Sequence, residues 1–95
     1  MARSSVASIA GTAWATVDSD GDHDTWDFLV SHKLHYESAS GSWDNGSWSQ
    51  DGAHVAWETN DHYSDYVGTI QGATMRGHAS NREGKTWTFT ARKVR

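Results

Sequence analysis

Twelve carboxylates and six histidines supply most of the chain's reactive side chains, and no cysteine accompanies them. Disulfides, thiolate zinc sites and cysteine nucleophiles are excluded together. The densest reactive stretch is Asp18-Ser19-Asp20-Gly21-Asp22-His23-Asp24. Alternating aspartates around a glycine suggest a calcium loop. An EF-hand, however, needs Gly at its sixth position and a bidentate Glu at its twelfth, where counting from Asp18 finds His23 and Leu29. The stretch therefore reads as an acidic turn that holds no metal and, through its charge, favours cationic over anionic ligands. Asp61-His62 is a second carboxylate–imidazole neighbourhood. Groups of these types can take and return a proton near neutral pH, so the candidate general bases are His23, Asp24, Asp61 and His62. The other histidines make no metal set. His32 and His35 diverge across a turn and a strand, and His35, His54 and His78 fall on the outward face of three different strands. Neither Gly-x-Ser-x-Gly, His-Glu-x-x-His nor a phosphate-binding glycine loop occurs, and no cofactor is implied.

The elements that must hold these groups are strands. Six tryptophans, nine glycines, no proline and only two leucines in 95 residues favour β-structure, and nothing reads as a substantial helix. Alternation broken by Gly, Asn and Asp divides the chain into eight strands, near 11–17, 24–29, 33–38, 46–50, 53–59, 65–70, 73–79 and 85–92. Asp51-Gly52 and Gln71-Gly72 read as two-residue hairpin loops, pairing Trp48 with Val55 and Tyr66 with Gly77. The turn after strand two needs a three-residue loop, Val30-Ser31-His32, which sets His32 where glycine is favoured. One face then gathers Trp26, Phe28, Leu34, Tyr36, Trp48, Val55, Trp57, Tyr66, Ile70, Met75, Trp87 and Phe89. The opposite face gathers Thr25, Asp27, His35, Ser49, His54, Thr69, Arg76, His78 and Thr88 among others.

Consecutive antiparallel strands with one aromatic face predict an eight-stranded antiparallel up-and-down β-barrel, an all-β fold whose closure removes both exposed edges. The barrel domain spans 11–92, after a partly flexible segment 1–10 and before a basic tail 93–95. Short turns at 30–32, 51–52 and 71–72 share one end. Longer loops near 18–23, 39–45, 60–64 and 80–84 share the other and form a mouth.

Gly11-Thr12-Ala13-Trp14, Asn45-Gly46-Ser47-Trp48 leading to Gln50-Asp51-Gly52, the run Gly68 to Gly77 and the closing Thr86-Trp87-Thr88-Phe89 resemble small bacterial lipocalin-like (calycin-type) β-barrel domains. Two residues separate Gly11 from Trp14 where lipocalins carry Gly-x-Trp, and their helix has no counterpart here. The resemblance implies the barrel architecture and an interior ligand site. Barrels of this general kind also include cyclases that fold a substrate inside an aromatic cavity, so the shape admits an enzyme.

The expected function is a small-molecule-binding barrel holding an apolar or aromatic ligand in a tryptophan-lined lumen. Its ligand-binding residues would be Trp26, Phe28, Tyr36, Trp48, Trp57, Tyr66, Met75, Trp87 and Phe89, with tyrosine hydroxyls orienting the ligand. Gly68, Gly77, Ala73 and Ala79 would leave space beside the rings. The alternative is a small enzyme doing proton transfer or cyclisation in that pocket with an Asp or His base at the mouth. An engineered origin is a further reading, resting on His32 and the lack of proline. A third reading of function is a structural domain whose outward threonine-rich face, with His54 and His78, forms a homodimer interface. A formal charge of -4 argues against nucleic acid as a partner. No apolar run approaches the roughly 20 residues that span a bilayer. The first ten residues lack the apolar core of a secretory signal, so the expectation is a soluble cytoplasmic protein, or a mature secreted domain behind an added methionine.

Overall fold

The computed structural model describes residues 6–95; residues 1–5, part of the N-terminal segment, lie outside the described residues. Eight strands follow in chain order: β1 Thr12–Asp18, β2 His23–Phe28, β3 Lys33–Ser38, β4 Gly41–Asp51, β5 His54–Thr59, β6 Ser64–Gln71, β7 Thr74–Asn81 and β8 Thr86–Lys93. Each pairs antiparallel with its neighbours, and β1 pairs with β8 from Trp14↔Lys93 to Asp18↔Phe89, closing an up-and-down barrel. Closure satisfies the backbone of what would otherwise be two edge strands.

Alternation sorts the faces as expected. Trp26, Phe28, Leu34, Trp48, Val55, Trp57, Ile70, Met75 and Phe89 are buried together, with Tyr36 and Tyr66 packed against them. Trp14, on the strand whose faces the sequence leaves unassigned, joins them at 2% exposure. Burying a side chain of this size contributes on the order of 2–3 kcal/mol, so the rings dominate the stability of this small domain.

Two hairpins turn one residue later than expected. Asp51 pairs with His54 and Gln71 with Thr74, so the loops are Gly52-Ala53 and Gly72-Ala73. Glycine at the first loop position with φ of +60° and +65° matches a type II′ turn, whereas the sequence reading set it second. The register moves by two, so no side chain changes face. Trp48 consequently opposes Trp57 rather than Val55, and Tyr66 opposes Ala79 rather than Gly77. Gly77 faces Gly68 instead, and a Cβ on Gly77 would meet Phe89 Cζ at 2.7 Å and Gly68 Cα at 2.8 Å. The space expected beside these glycines is occupied by Phe89 and Met75.

The β2–β3 turn keeps the expected register, Phe28↔Leu34 and Trp26↔Tyr36. His32 sits at φ 67°, and its ring stacks on Trp48 at 4.5 Å and 10°. That contact offsets the left-handed backbone and accounts for a bulky residue where glycine is favoured.

The stretch 39–45, expected to be a mouth loop, is instead a tight turn at 39–40 running straight into β4. A register shift between Leu34↔Gly46 and Tyr36↔Trp43 places a bulge at Asp44-Asn45. At the narrow end, Ile9 is buried and its N–H donates to Gln50 Oε1 at 2.9 Å, while Gln50 Nε2 donates to Ala7 O at 3.0 Å. The basic tail runs alongside β1, with Arg95 Nη2 2.6 Å from Asp27 Oδ1.

Candidate functional site at the barrel mouth

Below the mouth the lumen is filled ring against ring. Trp57 is the hub, with centroids 5.2 Å from Phe28, 5.3 Å from Phe89, 5.6 Å from Trp26 and 5.3 Å from Tyr66, the last nearly parallel at 7°. Offset and edge-to-face pairs at these separations are favourable beyond their burial. The indole N–H groups are individually placed. Trp26 donates to Thr16 Oγ1 at 2.9 Å, Trp14 to Thr12 Oγ1 at 3.0 Å and Trp48 to Leu29 O at 2.9 Å. The buried Trp57 N–H has no acceptor in reach among the described residues.

Above this packed layer the barrel opens into a cup of about 480 Å³. Its floor and far wall are Tyr66 and Trp87, whose rings meet edge-on at 5.8 Å. The near wall is acidic: Asp18, Asp20, Asp22 and Asp24, with His23 beside them. Alternation explains this layout, since Asp24 lies two residues from the inward Trp26 and so shares its face.

The four carboxylates are not equivalent. Asp18 Oδ1 accepts the backbone N–H groups of Asp20 and Asp22, each at 2.9 Å, and so shapes the β1–β2 turn. Asp20 Oδ2 pairs with Lys85 Nζ at 2.7 Å. Asp24, half-buried, has no hydrogen bond or ion pair to its carboxylate among the described residues. Desolvation, followed by repulsion from Asp18 and Asp22, pushes its pKa up to about 6, with His23 acting in the opposite sense. Burial also raises the Tyr66 hydroxyl well above the usual phenol value, and the Asp24 charge adds to that.

The structure divides the expected site residues. Tyr66, Trp87, Asp24 and His23 line the cup, and Trp26 and Tyr36 lie against its floor, with centroids 4.9 Å from Tyr66 to Trp26 and 5.1 Å from Trp26 to Tyr36. Trp57 and Phe89 belong to the packed layer. Phe28 and Trp48 pair edge-to-face at 5.6 Å on the narrow-end side, and Met75 fills the space beside Gly68. Asp61 and His62 are not brought to the cup. Asn60, Asp61 and His62 form a left-handed turn at φ 52°, 55° and 62°, in which His62 Nδ1 lies 2.8 Å from Asp65 Oδ1 and Asp61 O accepts from Arg82. The Asp65 hydrogen bond holds the His62 pKa above the ordinary histidine value.

Two further residues stand at this end of the barrel without a place among the expected site residues. Lys85 reaches from the β7–β8 loop to Asp20 and lies 5.9 Å above the Trp87 ring. Trp43 stacks on Tyr36 at 5.5 Å and 27°. Its odd spacing from Trp48 would send it outward in a regular strand, and only the Asp44-Asn45 bulge restores it to the face of Tyr36. Its one sequence signal is the size of the indole, which favours at least partial cover from water.

Fold and mouth together define a closed eight-stranded antiparallel β-barrel with a filled lumen and an acidic, aromatic cup at one end. No protein-family model, curated protein or solved structure matches the chain.

Proposed function

We propose that the protein is a small-molecule-binding barrel of lipocalin-like kind whose ligand, a flat apolar or aromatic molecule, sits in the mouth cup rather than deep in the lumen. The observation that carries this reading is the half-buried aromatic floor of Tyr66 and Trp87 within a concave space of about 480 Å³. A volume in that range suits a compact ligand of one or two rings. The ring-filled layer below gives the floor rigidity, so little is lost in ordering the site when a ligand binds. A direct test is tryptophan fluorescence titrated with a panel of small non-fluorescent aromatics. Saturable quenching that is lost in Trp87→Ala and kept in the outward-facing His54→Ala supports the cup. No response from any probe sinks it.

A second reading, an enzyme of proton transfer, is favoured by one observation: a half-buried carboxylate pushed up to about 6 beside an aromatic floor. A base with that pKa is well matched to removing a proton next to a carbonyl. Of the expected bases only Asp24 and His23 line the cup, so the reading rests on them. In deuterated buffer, the Asp24 carboxylate would take a methyl proton from acetophenone and return a deuteron. The exchange is followed by NMR, and a rate no faster than buffer, or unchanged in Asp24→Asn, removes this reading.

A further inference from the structure

We propose that the ligand of the mouth cup is a compact organic cation, an ammonium carried on a flat apolar body, bound as the counter-ion of Asp24. This rests on the cup being a ligand site and adds the ligand's charge and its control. Three features of the site lead to it.

The first is the unmatched carboxylate. Asp18 is occupied by the turn and Asp20 by Lys85, whereas Asp24 projects inward with no partner among the described residues. A half-buried carboxylate without a partner is an unfavourable arrangement that a bound cation relieves. The second is the lining opposite it. Trp87 and Tyr66 present ring surface to the same space, and aromatic faces attract cations but not anions.

The third is Lys85, the protein's own ammonium at this mouth. Its Nζ takes an aspartate at 2.7 Å and a tryptophan face at 5.9 Å, the two kinds of contact an external ammonium would make. Lys85 satisfies Asp20 and leaves Asp24 free. Among the described residues, Glu37 and Arg92 share an outer space with Asp24, and the groups of the cup itself surround it on the inner side. Asp18, Asp20 and Asp22 from the first turn are anionic, and His23 adjoins on its own strand. Tyr36 and Tyr66 present phenols held protonated by burial, Ser38 and Asn81 are neutral, and among the described residues Lys85 is the one full cation lining the cup. The balance of charge stays negative. Because Asp24 gains its proton near pH 6, cation and proton compete for it, and acidification releases the ligand.

The test uses the whole chain and two probes of nearly equal shape. Phenyltrimethylammonium carries a permanent charge, and tert-butylbenzene is its neutral counterpart. Binding is followed by tryptophan fluorescence and NMR at pH 8 and pH 5. The cation is expected to bind at least tenfold more tightly than the neutral probe at pH 8, and to weaken about tenfold at pH 5, in line with one proton lost near pH 6. Asp24→Asn, which removes a charge that burial opposes and so leaves folding intact, abolishes the pH dependence and lowers the preference severalfold, to what the rings and the remaining aspartates supply. Lys85→Gln strengthens cation binding severalfold by freeing Asp20 and the Trp87 face. Equal binding of the two probes, lost in Trp87→Ala, overturns the inference while the cup remains a ligand site. A pH dependence that survives in Asp24→Asn overturns the role of that residue. Binding of neither probe overturns the inference and the cup reading together.

Discussion

Replacing Asp24 with Asn should stabilise the protein at neutral pH and leave it nearly unchanged in acid. The folded chain holds the Asp24 proton up to about pH 6, whereas an unfolded chain releases it near 3.8. Between those values the folded state carries more protons than the unfolded one, so stability falls as pH rises through that window. Above it the full deficit remains. At 1.36 kcal/mol per pH unit the gap corresponds to roughly 3 kcal/mol, and solvent screening at a half-buried group reduces this to about 1–2 kcal/mol. In a domain of this length that is a rise in Tm of roughly 5–15 °C at pH 7.5. Thermal unfolding of the two proteins at pH 7.5 and pH 3.5, followed by circular dichroism, reads the difference directly. An Asn variant no more stable than its parent at pH 7.5, or a gain that persists undiminished at pH 3.5, would refute the placement of this carboxylate in a desolvated, partnerless position. A carboxylate held at such a cost is what a binding or proton-transfer role would require.

Three further outcomes follow from the packing. Gly77→Ala puts a methyl group against Val67 O, Gly68 Cα and Phe89 Cζ, so urea unfolding should show a loss of about 3 kcal/mol or more; a loss under about 1 kcal/mol would mean the β6–β7 glycine pair is not tightly closed. Trp57→Phe removes an indole N–H that is already without an acceptor, whereas Trp26→Phe breaks the bond to Thr16, so the Trp26 variant should be the less stable by about 1–2 kcal/mol. Equal losses would show that the Trp57 N–H has a partner in solution. The His35 pKa should lie above the ordinary 6.5, because its Nδ1 is 2.6 Å from Asp44 Oδ1, with Glu37 near the other ring nitrogen. The stability that this pairing contributes is present below 6.5 and lost as pH rises through the folded value, and an NMR titration in which Asp44→Asn leaves the His35 pKa unmoved would contradict the geometry.

Much of the barrel was legible because a strand's side-chain period is two. Once Trp26, Phe28, Trp48, Trp57, Met75 and Phe89 are placed inward, every neighbour's face follows, and the hairpin register error of two residues left all of them where they were. The β2–β3 register was legible for the same reason, since only a three-residue loop aligns Phe28 with Leu34. What alternation does not carry is a change of parity. The bulge at Asp44-Asn45 adds one residue to β4, and that residue turned an expected loop into strand and sent Trp43 toward Tyr36.

The candidate site divides along the same line. Asp24 was identifiable as a carboxylate near the mouth, and its inward direction follows from its spacing to Trp26. Its isolation was not, because that depends on what Asp18 and Asp20 bond to and on Lys85, which is more than sixty residues away and meets Asp20 only when β8 closes on β1. Asp61 and His62 had equal standing in the sequence, yet a left-handed turn directs His62 to Asp65 instead. By itself, then, the chain determined which side chains face inward and that the strands follow one another in order, since both are properties of adjacent residues. Ring closure decided how deep the lumen is filled and which carboxylate is left without a partner, since desolvation and charge balance depend on groups brought together from distant strands.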